Sequence, residues 1–404
     1  MVELLIRASL NDRALLRRAF GINVQSARWA MRPDRIVVDA HVPMRSNEIC
    51  DIAQAAGVGY LIDPLTHLFQ DHQPTADRWA QLPFGLARAL TPEEASRPAF
   101  IEDLTHRVLD YQLRHNATAL IPPYVYVDRP GSEWVDVQAT MWQSARHYLD
   151  ARSVALPITA VVALGWRMLH PTQGFDAPGP AERALVALRP REIAIAASKA
   201  DDGIHPEERA MDLALMVERL SVNFDVLLWQ QGRLGELAVA AGARGYETGV
   251  GWRERCDMPA AMRSRRDPDP GYFPPRPVYV AALGQSVARR SLDEWRQHRD
   301  IWTQLICTDA NCCPTGGSGF IDNAAAHTII QRAGRLRELA AIDRPVWRWQ
   351  NLAERAERGL AVSERINRLK AAGAVTSRVN TGPLEAIRAV SDQRRHDQRS
   401  SGIA

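Results

Sequence analysis

IAIAASKADDGIHPEERAMDLALMVERLSVNFDVLLWQQGRLGELAVAAGARGYETGV, residues 193–250, is the stretch that decides the fold. It holds three short apolar runs, at 193–197, 226–229 and 245–250, each of strand length. Between the first two, Leu213, Met216, Val217 and Leu220 recur at i, i+3, i+4 and i+7. Between the second and third, Leu234, Leu237, Ala238 and Ala241 repeat the pattern. That spacing lines one face of a helix. Strands separated by helices pair in parallel, because parallel neighbours need a crossover connection.

The same alternation extends in both directions. Further strand candidates lie at 36–40, 59–62, 119–127 (interrupted by Pro122 and Pro123), 158–164 and 278–283, and Ile49, Ile52, Ala53 and Ala56 mark another helix face. Eight strands alternating with helices predict an α/β fold of the (β/α)₈ TIM-type barrel class, with an open doubly wound sheet as the alternative. Residues 1–35 read as a lead-in, 36–290 as the barrel, and 291–372 as a helical appendage. Trp295, His298, Trp302 and Leu305 begin that appendage on one helix face, and helices follow at about 323–341 and 352–370. Residues 373–404 end in a charged run and read as a flexible tail. The Pro-, His- and Gln-bearing stretch 64–96 reads as an excursion over the barrel top.

Hydrophobic residues make up 46% and charged residues 24%, the balance of a globular chain with a sizeable core. A net charge of +3 does not by itself argue for nucleic acid. Lys199 and Lys370 are the only lysines among 50 basic residues, leaving 48 arginines. Codon bias accounts for such a ratio, and it also leaves a surface of forked guanidinium groups suited to phosphate. No apolar run approaches the ~18 residues a membrane span needs. The charged start is unlike a secretion signal, so a cytoplasmic protein with no membrane partner is expected. Three of the five cysteines fall between Cys307 and Cys313. Together with His327 they offer three thiolates and an imidazole, the donor set of a structural zinc site, where a disulfide framework would need pairs. Cys312 and Cys313 are adjacent, so both reach one ion only if the backbone turns sharply there.

In a barrel the chemistry sits at the carboxyl ends of the strands. Polar residues gather at those positions: Asp39 and His41, Asp63, Asp128, Lys199, Gln230, and Glu247. Asp39-Ala40-His41 resembles the opening of metal-dependent amidohydrolases, but Pro43 stands where their second histidine is needed, so no catalytic metal is expected. Lys199 offers a Schiff-base nucleophile or a phosphate ligand, or else an ion pair with Asp201 or Asp202. Gly249 and Gly251 would let a ligand approach the backbone closely. Arg253, Arg255, Arg263, Arg265, Arg266, Arg289 and Arg290 follow the last strands, as a polyanion-binding rim or as a solvated charged surface.

A barrel followed by a Cys₃His unit resembles the tRNA-guanine transglycosylase superfamily, including its relatives that insert deazaguanines into DNA. The resemblance covers residues 36–339 at the level of architecture. It implies base exchange or a related glycosyl transfer on RNA or DNA, with structural zinc as cofactor. Glu247 falls about where the family's nucleophilic aspartate would, and Asp63 about where its proton-handling aspartate would. Gln230 and Asp128 would read the base, and Asp39, His41, Gly249, Gly251 and Arg253 would bind substrate. The family's cysteines are more tightly spaced, and its glycine-rich base-binding motif is not recognisable here. Two other readings stand beside it: a Schiff-base lyase or aldolase using Lys199, and a non-catalytic nucleic-acid-binding barrel.

Overall fold

The computed structural model describes residues 2–22, 28–71, 78–171, 174, 180–266 and 275–400. Its centre is an eight-stranded parallel sheet made of β1 (Glu3–Ala8), β2 (Arg35–Asp39), β3 (Gly59–Asp63), β4 (Tyr126–Val127), β5 (Thr159–Gly165), β6 (Glu192–Ser198), β7 (Asp225–Leu228) and β8 (Gly245–Gly249). β1 pairs with both β2 and β8, and two bridges close the remaining seam. Leu61 of β3 bridges Ala119, and Leu120 bridges Ile158 beside β5. The sheet is therefore a closed (β/α)₈-type barrel. As Pro122 and Pro123 suggested, the fourth strand is in two pieces, since neither proline has an N–H for the ladder.

Three assignments along the chain are corrected. The lead-in contains β1, which takes the place between β2 and β8, so the 245–249 segment is the eighth strand. The run at 278–283 is outside the barrel: β9 (Val278–Val280) and β10 (Gln285–Val287) form an antiparallel hairpin turning at Gly284, φ +62°. The expected flexible tail is a helix, Gly382–Ser400, with Leu384, Ala386 and Val390 buried.

The helices follow ordinary chemistry. Pro206–Ser221 opens with Pro206 in its first turn, carries Glu207 and Glu208 at its positive end and Arg219 at its negative end, and buries Leu213, Met216, Val217 and Leu220. Beyond the barrel, the β9–β10 hairpin and helices Arg289–Trp295 and Arg299–Leu305 build a second core around Trp295, Ile301 and Phe320. Helix Ala324–Ala340 joins the two, because its Ile329, Ala333, Leu336 and Leu339 belong to the barrel's core. Glu236 clamps the joint, accepting from Arg335 at 2.7 Å and Arg355 at 3.2 Å. No helix among the described residues is long and apolar enough to cross a membrane.

Strand periodicity also decides what fills the barrel. Glu3 and Arg7 lie four apart on β1, and Arg35 and Asp39 four apart on β2, so each pair shares a face. Their bonds identify that face as the lumen. At the bottom, Arg35 pairs with Glu3 (2.7 Å) and Glu192 (2.7 Å), and at the top Arg7 meets the carboxylates described below.

The β1–β8 seam gives a direct test of closure. A Cβ at Gly245 would lie 2.0 Å from the Glu3 carbonyl oxygen, whereas one at Gly334, inside helix Ala324–Ala340, meets nothing within 4 Å. Urea unfolding should show Gly245→Ala losing about 3 kcal/mol or more, as overpacking does where backbone must move. Gly334→Ala should gain about 0.5–1 kcal/mol from helix propensity. Equal effects at both positions would contradict the closed seam.

Candidate active site at the barrel mouth

The upper lumen is organised by one side chain. Arg7, 5% exposed, donates from Nη1 to Asp39 (2.7 Å), from Nη2 to Asp63 (2.8 Å) and from Nε to Glu247 (3.0 Å), and its guanidinium lies 5.4 Å from the Trp229 ring centroid. Burial opposes the Arg7 charge, but Glu247, Asp63 and Asp39 outweigh it and keep the group protonated. The sequence reading missed Arg7 because it treated that segment as lead-in. The signal in Glu3-Leu-Leu-Ile-Arg7-Ala8 is only a short apolar run, Leu4–Ile6, between two charged residues.

This arrangement corrects the roles expected for two carboxylates. Asp63 is fully buried and accepts from Arg7, from the Tyr124 hydroxyl (2.9 Å), from Trp229 Nε1 (3.1 Å) and from the Leu65 amide (3.0 Å). A carboxylate so occupied has no face left for a substrate proton. Glu247 does point into the lumen, but it too is fully buried, bound by Arg7 and by the Gln230 amide (2.8 Å). Burial pushes the Glu247 carboxyl upward, with Arg7 working against it. Gln230 adopts φ +56° to deliver that amide, and Leu65 adopts φ +47° to deliver its own to Asp63. Such strained positions persist where the surroundings hold them.

Above this layer opens a cavity of about 400 Å³ at the carboxyl ends of β1, β2 and β8. Asp39, His41, Gly249 and Arg253, four of the residues expected to bind substrate, are among its lining. Arg7, Arg78 and Arg276 line it too, with Asp12 and the half-exposed Trp252. Arg253 donates to Asp39 at 2.6 Å, and Arg276 donates to Asp12 at 2.7 Å. Burial disfavours the Asp39 charge, yet Arg253 and Arg7 hold its carboxyl well below the usual range. Burial pushes His41 down to about 4, against the pull of Asp39. His41 is 7% exposed, packs edge-on to Trp79 at 4.7 Å, and its buried Nδ1 has no hydrogen-bond partner among the described residues. The mouth thus brings together four guanidinium groups, an ionised carboxylate and a neutral imidazole.

The turn after β8 makes room for this. The Gly249 amide donates to Arg253 O (3.2 Å), and a Cβ at Gly249 would sit 1.8 Å from Trp252 O. Gly251 has φ +74° and Arg253 φ +55°. The two glycines therefore serve the turn's own conformation, and Arg253 is its product. Gln230 lies next door, in a cavity of about 230 Å³ that shares Arg78 and Arg253 with the main one. Asp128 stands apart at the end of β4, largely exposed, bonded to the Tyr126 hydroxyl at 2.9 Å. Lys199 is not among the lining residues. It has φ +61° at the end of β6 and donates its amide to Cys256 O at 2.9 Å. Asp201 pairs with Arg233 (3.4 Å), and Asp202 with Arg255. Of the expected arginine rim, the side chains of Arg265 and Arg266 lie outside the described residues.

The cysteine cluster forms in the second lobe. The donor atoms of Cys307, Cys312, Cys313 and His327 all lie within 4.8 Å of one another, a set that could hold a metal ion. The adjacency of Cys312 and Cys313 is resolved by a tight turn in which both amides donate to Asp309 O, at 3.1 and 2.7 Å. Their sulfurs are 3.8 Å apart, and His327 Nδ1 is 3.3 Å from one and 3.5 Å from the other. These are close to the edges of a tetrahedron with metal–sulfur bonds of about 2.3 Å. His327 Nε2 donates to Tyr279 O at 2.9 Å, which fixes the tautomer and turns the Nδ1 lone pair toward the thiols. Burial pushes the Cys312 thiol up to about 12, so a bound cation would have to displace its proton.

No family model and no curated protein matches this sequence. Among solved structures, a "putative phosphonomutase" from Burkholderia cenocepacia is similar at 13% identity and a TM-score of 0.35, covering 66% of this chain and 90% of that one. The barrel assignment rests on the strand pairing itself.

The electrostatics of the mouth are measurable. Side-chain nitrogen NMR should find one histidine, assigned by His41→Gln, that protonates only near pH 4. Arg253→Ala removes a cation that lowers it and should move the midpoint upward. A His41 midpoint near 6.5 in the wild type would contradict the buried, neutral imidazole.

Proposed function

We propose that the chain is a glycosyl-transfer enzyme acting on a phosphate-bearing nucleotide unit, most simply base exchange on a nucleic acid, with a structural zinc in the Cys₃His cluster. The observation that carries this reading is the composition of the mouth cavity: Arg78, Arg253 and Arg276 beside an ionised Asp39 and a neutral His41. Guanidinium forks suit phosphate oxygens, and their placement beside the carboxylate puts the sugar of the same nucleotide within reach.

In this reading Asp39 replaces Asp63 and Glu247 as the working carboxylate. As the C1′–N bond breaks, its electron pair leaves with the departing base and positive charge develops on the sugar. Asp39, held ionised by Arg7 and Arg253, stabilises that charge. The nitrogen of the incoming base then forms the new bond to C1′ and gives its proton to His41, which passes it to the nitrogen of the departing base, so the protein ends unchanged. Asp63 and Glu247 act through Arg7, fixing its fork and thereby the position of Asp39. The lyase alternative is weakened by the place of Lys199 outside the cavity lining.

Zinc is favoured by the donor set: three sulfurs and one nitrogen with the second imidazole nitrogen anchored. Its role would be to hold the β9–β10 hairpin against helix Ala324–Ala340, far from the reacting atoms in function.

Transfer of labelled guanine into tRNA or duplex DNA tests the reaction. The wild type should incorporate label, Asp39→Asn should reduce the rate by about a hundredfold or more, the scale of losing a preorganised charge, and Lys199→Arg should retain activity. Salt-dependent nucleic-acid binding with no exchange by the wild type would instead mark a non-catalytic binder. For the metal, the purified protein should carry one zinc per chain, lost in Cys312→Ser together with thermal stability. Absence of metal with freely titrating thiols would contradict the zinc assignment.

A further inference from the structure

Helix Ala324–Ala340 faces two sites at once. His327, near its start, turns to the thiol cluster, and Arg332 enters the barrel on the same helix. Arg332 is 1% exposed, donates to Gly232 O at 2.7 Å, approaches Glu254 Oε1 at 2.8 Å, and lies 4.2 Å from the Tyr279 ring centroid. Tyr279 is also the residue whose carbonyl anchors His327. On the other side, Glu254 accepts from the Ser286 hydroxyl (2.8 Å) and amide (3.1 Å) on β10. Its own carbonyl accepts from the Arg233 amide at 3.3 Å.

Glu254 directly follows Arg253, the guanidinium that caps Asp39 at the mouth. Arg253 holds a left-handed backbone, φ +55°, unusual for a residue with a side chain. Something must secure the turn in that conformation, and the buried Glu254 side chain is the anchor next to it. Among the described residues its side chain bonds Arg332 and Ser286, both on elements of the second lobe.

We infer that Glu254 and Arg332 are positioning residues: their buried ion pair sets the place of Arg253, so the second lobe tunes anion binding at the barrel mouth. The inference rests on the reading of the mouth as an anion site. A buried pair of this kind is a poor source of net stability, because desolvation offsets its attraction, which leaves geometry as the property it serves. The two halves meet along helix Ala324–Ala340, with Glu254 and Glu236 as carboxylates of the joint.

The test is calorimetric titration of inorganic pyrophosphate into the full chain at fixed salt. Glu254→Gln with Arg332→Met removes both charges together and avoids stranding either one. That variant should keep its near-ultraviolet circular dichroism but bind pyrophosphate about tenfold more weakly, equivalent to about 1.4 kcal/mol. In an Arg253→Ala background the same pair replacement should cost nothing further, because it acts through Arg253. Wild-type affinity in the pair variant, or losses that multiply in the triple variant, would overturn the inference. Should the pair variant fail to fold, Ser286→Ala decides: it removes one bond from Glu254, and a loss of about twofold or more that vanishes in the Arg253→Ala background is required. If Arg253→Ala binds like wild type, or the wild type gives no heat, the anion reading of the mouth fails, and the inference with it.

Discussion

Everything at the top of this barrel depends on a single buried arginine surrounded by three carboxylates. Among the described residues Arg7 bonds to each of Asp39, Asp63 and Glu247, which come from three different strands. In water such a cluster would separate and hydrate. Inside the lumen the charges can be accommodated only together, since any one left alone would bear the full cost of desolvation. With Arg253 the layer counts two cations and three acids, and burial, joined by the nearby Asp63 charge, shifts the Glu247 carboxyl upward against the pull of Arg7. The arrangement divides the acids by role. Asp63 and Glu247 are consumed in holding Arg7, and Asp39 alone keeps an edge on the cavity.

The second lobe extends the same logic beyond the barrel. Arg335 and Arg355 meet Glu236, and Arg332 meets Glu254, so the joint between lobes is made of charged pairs set in apolar surroundings. Apolar packing alone would let the lobe slide over the barrel. Directional pairs of this depth specify one register. The thiol cluster sits on the far side of the same helix, where the reading of one metal ion and the reading of the mouth meet in one structural element.

Much of this was legible from residue order, for identifiable reasons. The strand–helix alternation of residues 193–250 survives intact because both periods are strong there. The cysteine cluster was legible because its donor types are rare in this chain and few chemistries use them together. β1 was not, because its lumen face carries Glu3 and Arg7, so a buried strand looks half polar. The 278–283 run was misplaced because apolar content does not report pairing direction, and Gly284 turns it back on itself. The C-terminal helix was hidden because its apolar positions Leu384, Ile387 and Val390 fill only its first turns, ahead of a polar and charged run from Asp392 to Arg399. The carboxylates at the strand ends were found, but their roles depended on a partner 56 and 240 residues away along the chain. No local pattern contains that information.

The most direct measurement is the unfolding free energy of Arg7→Met against wild type, by chemical denaturation from pH 5 to pH 9. Without Arg7, Glu247 is a buried acid whose protons are held more tightly in the folded than in the unfolded chain, because burial raises it and its opposing cation is gone. Stability should then fall as pH rises, because the unfolded state releases those protons first. The account predicts a loss of about 3–5 kcal/mol, widening toward high pH, as expected on removing one partner of a buried charge cluster. A loss under about 1 kcal/mol that does not change with pH, the scale of an exposed ion pair, would show that the barrel mouth is not built on this arginine.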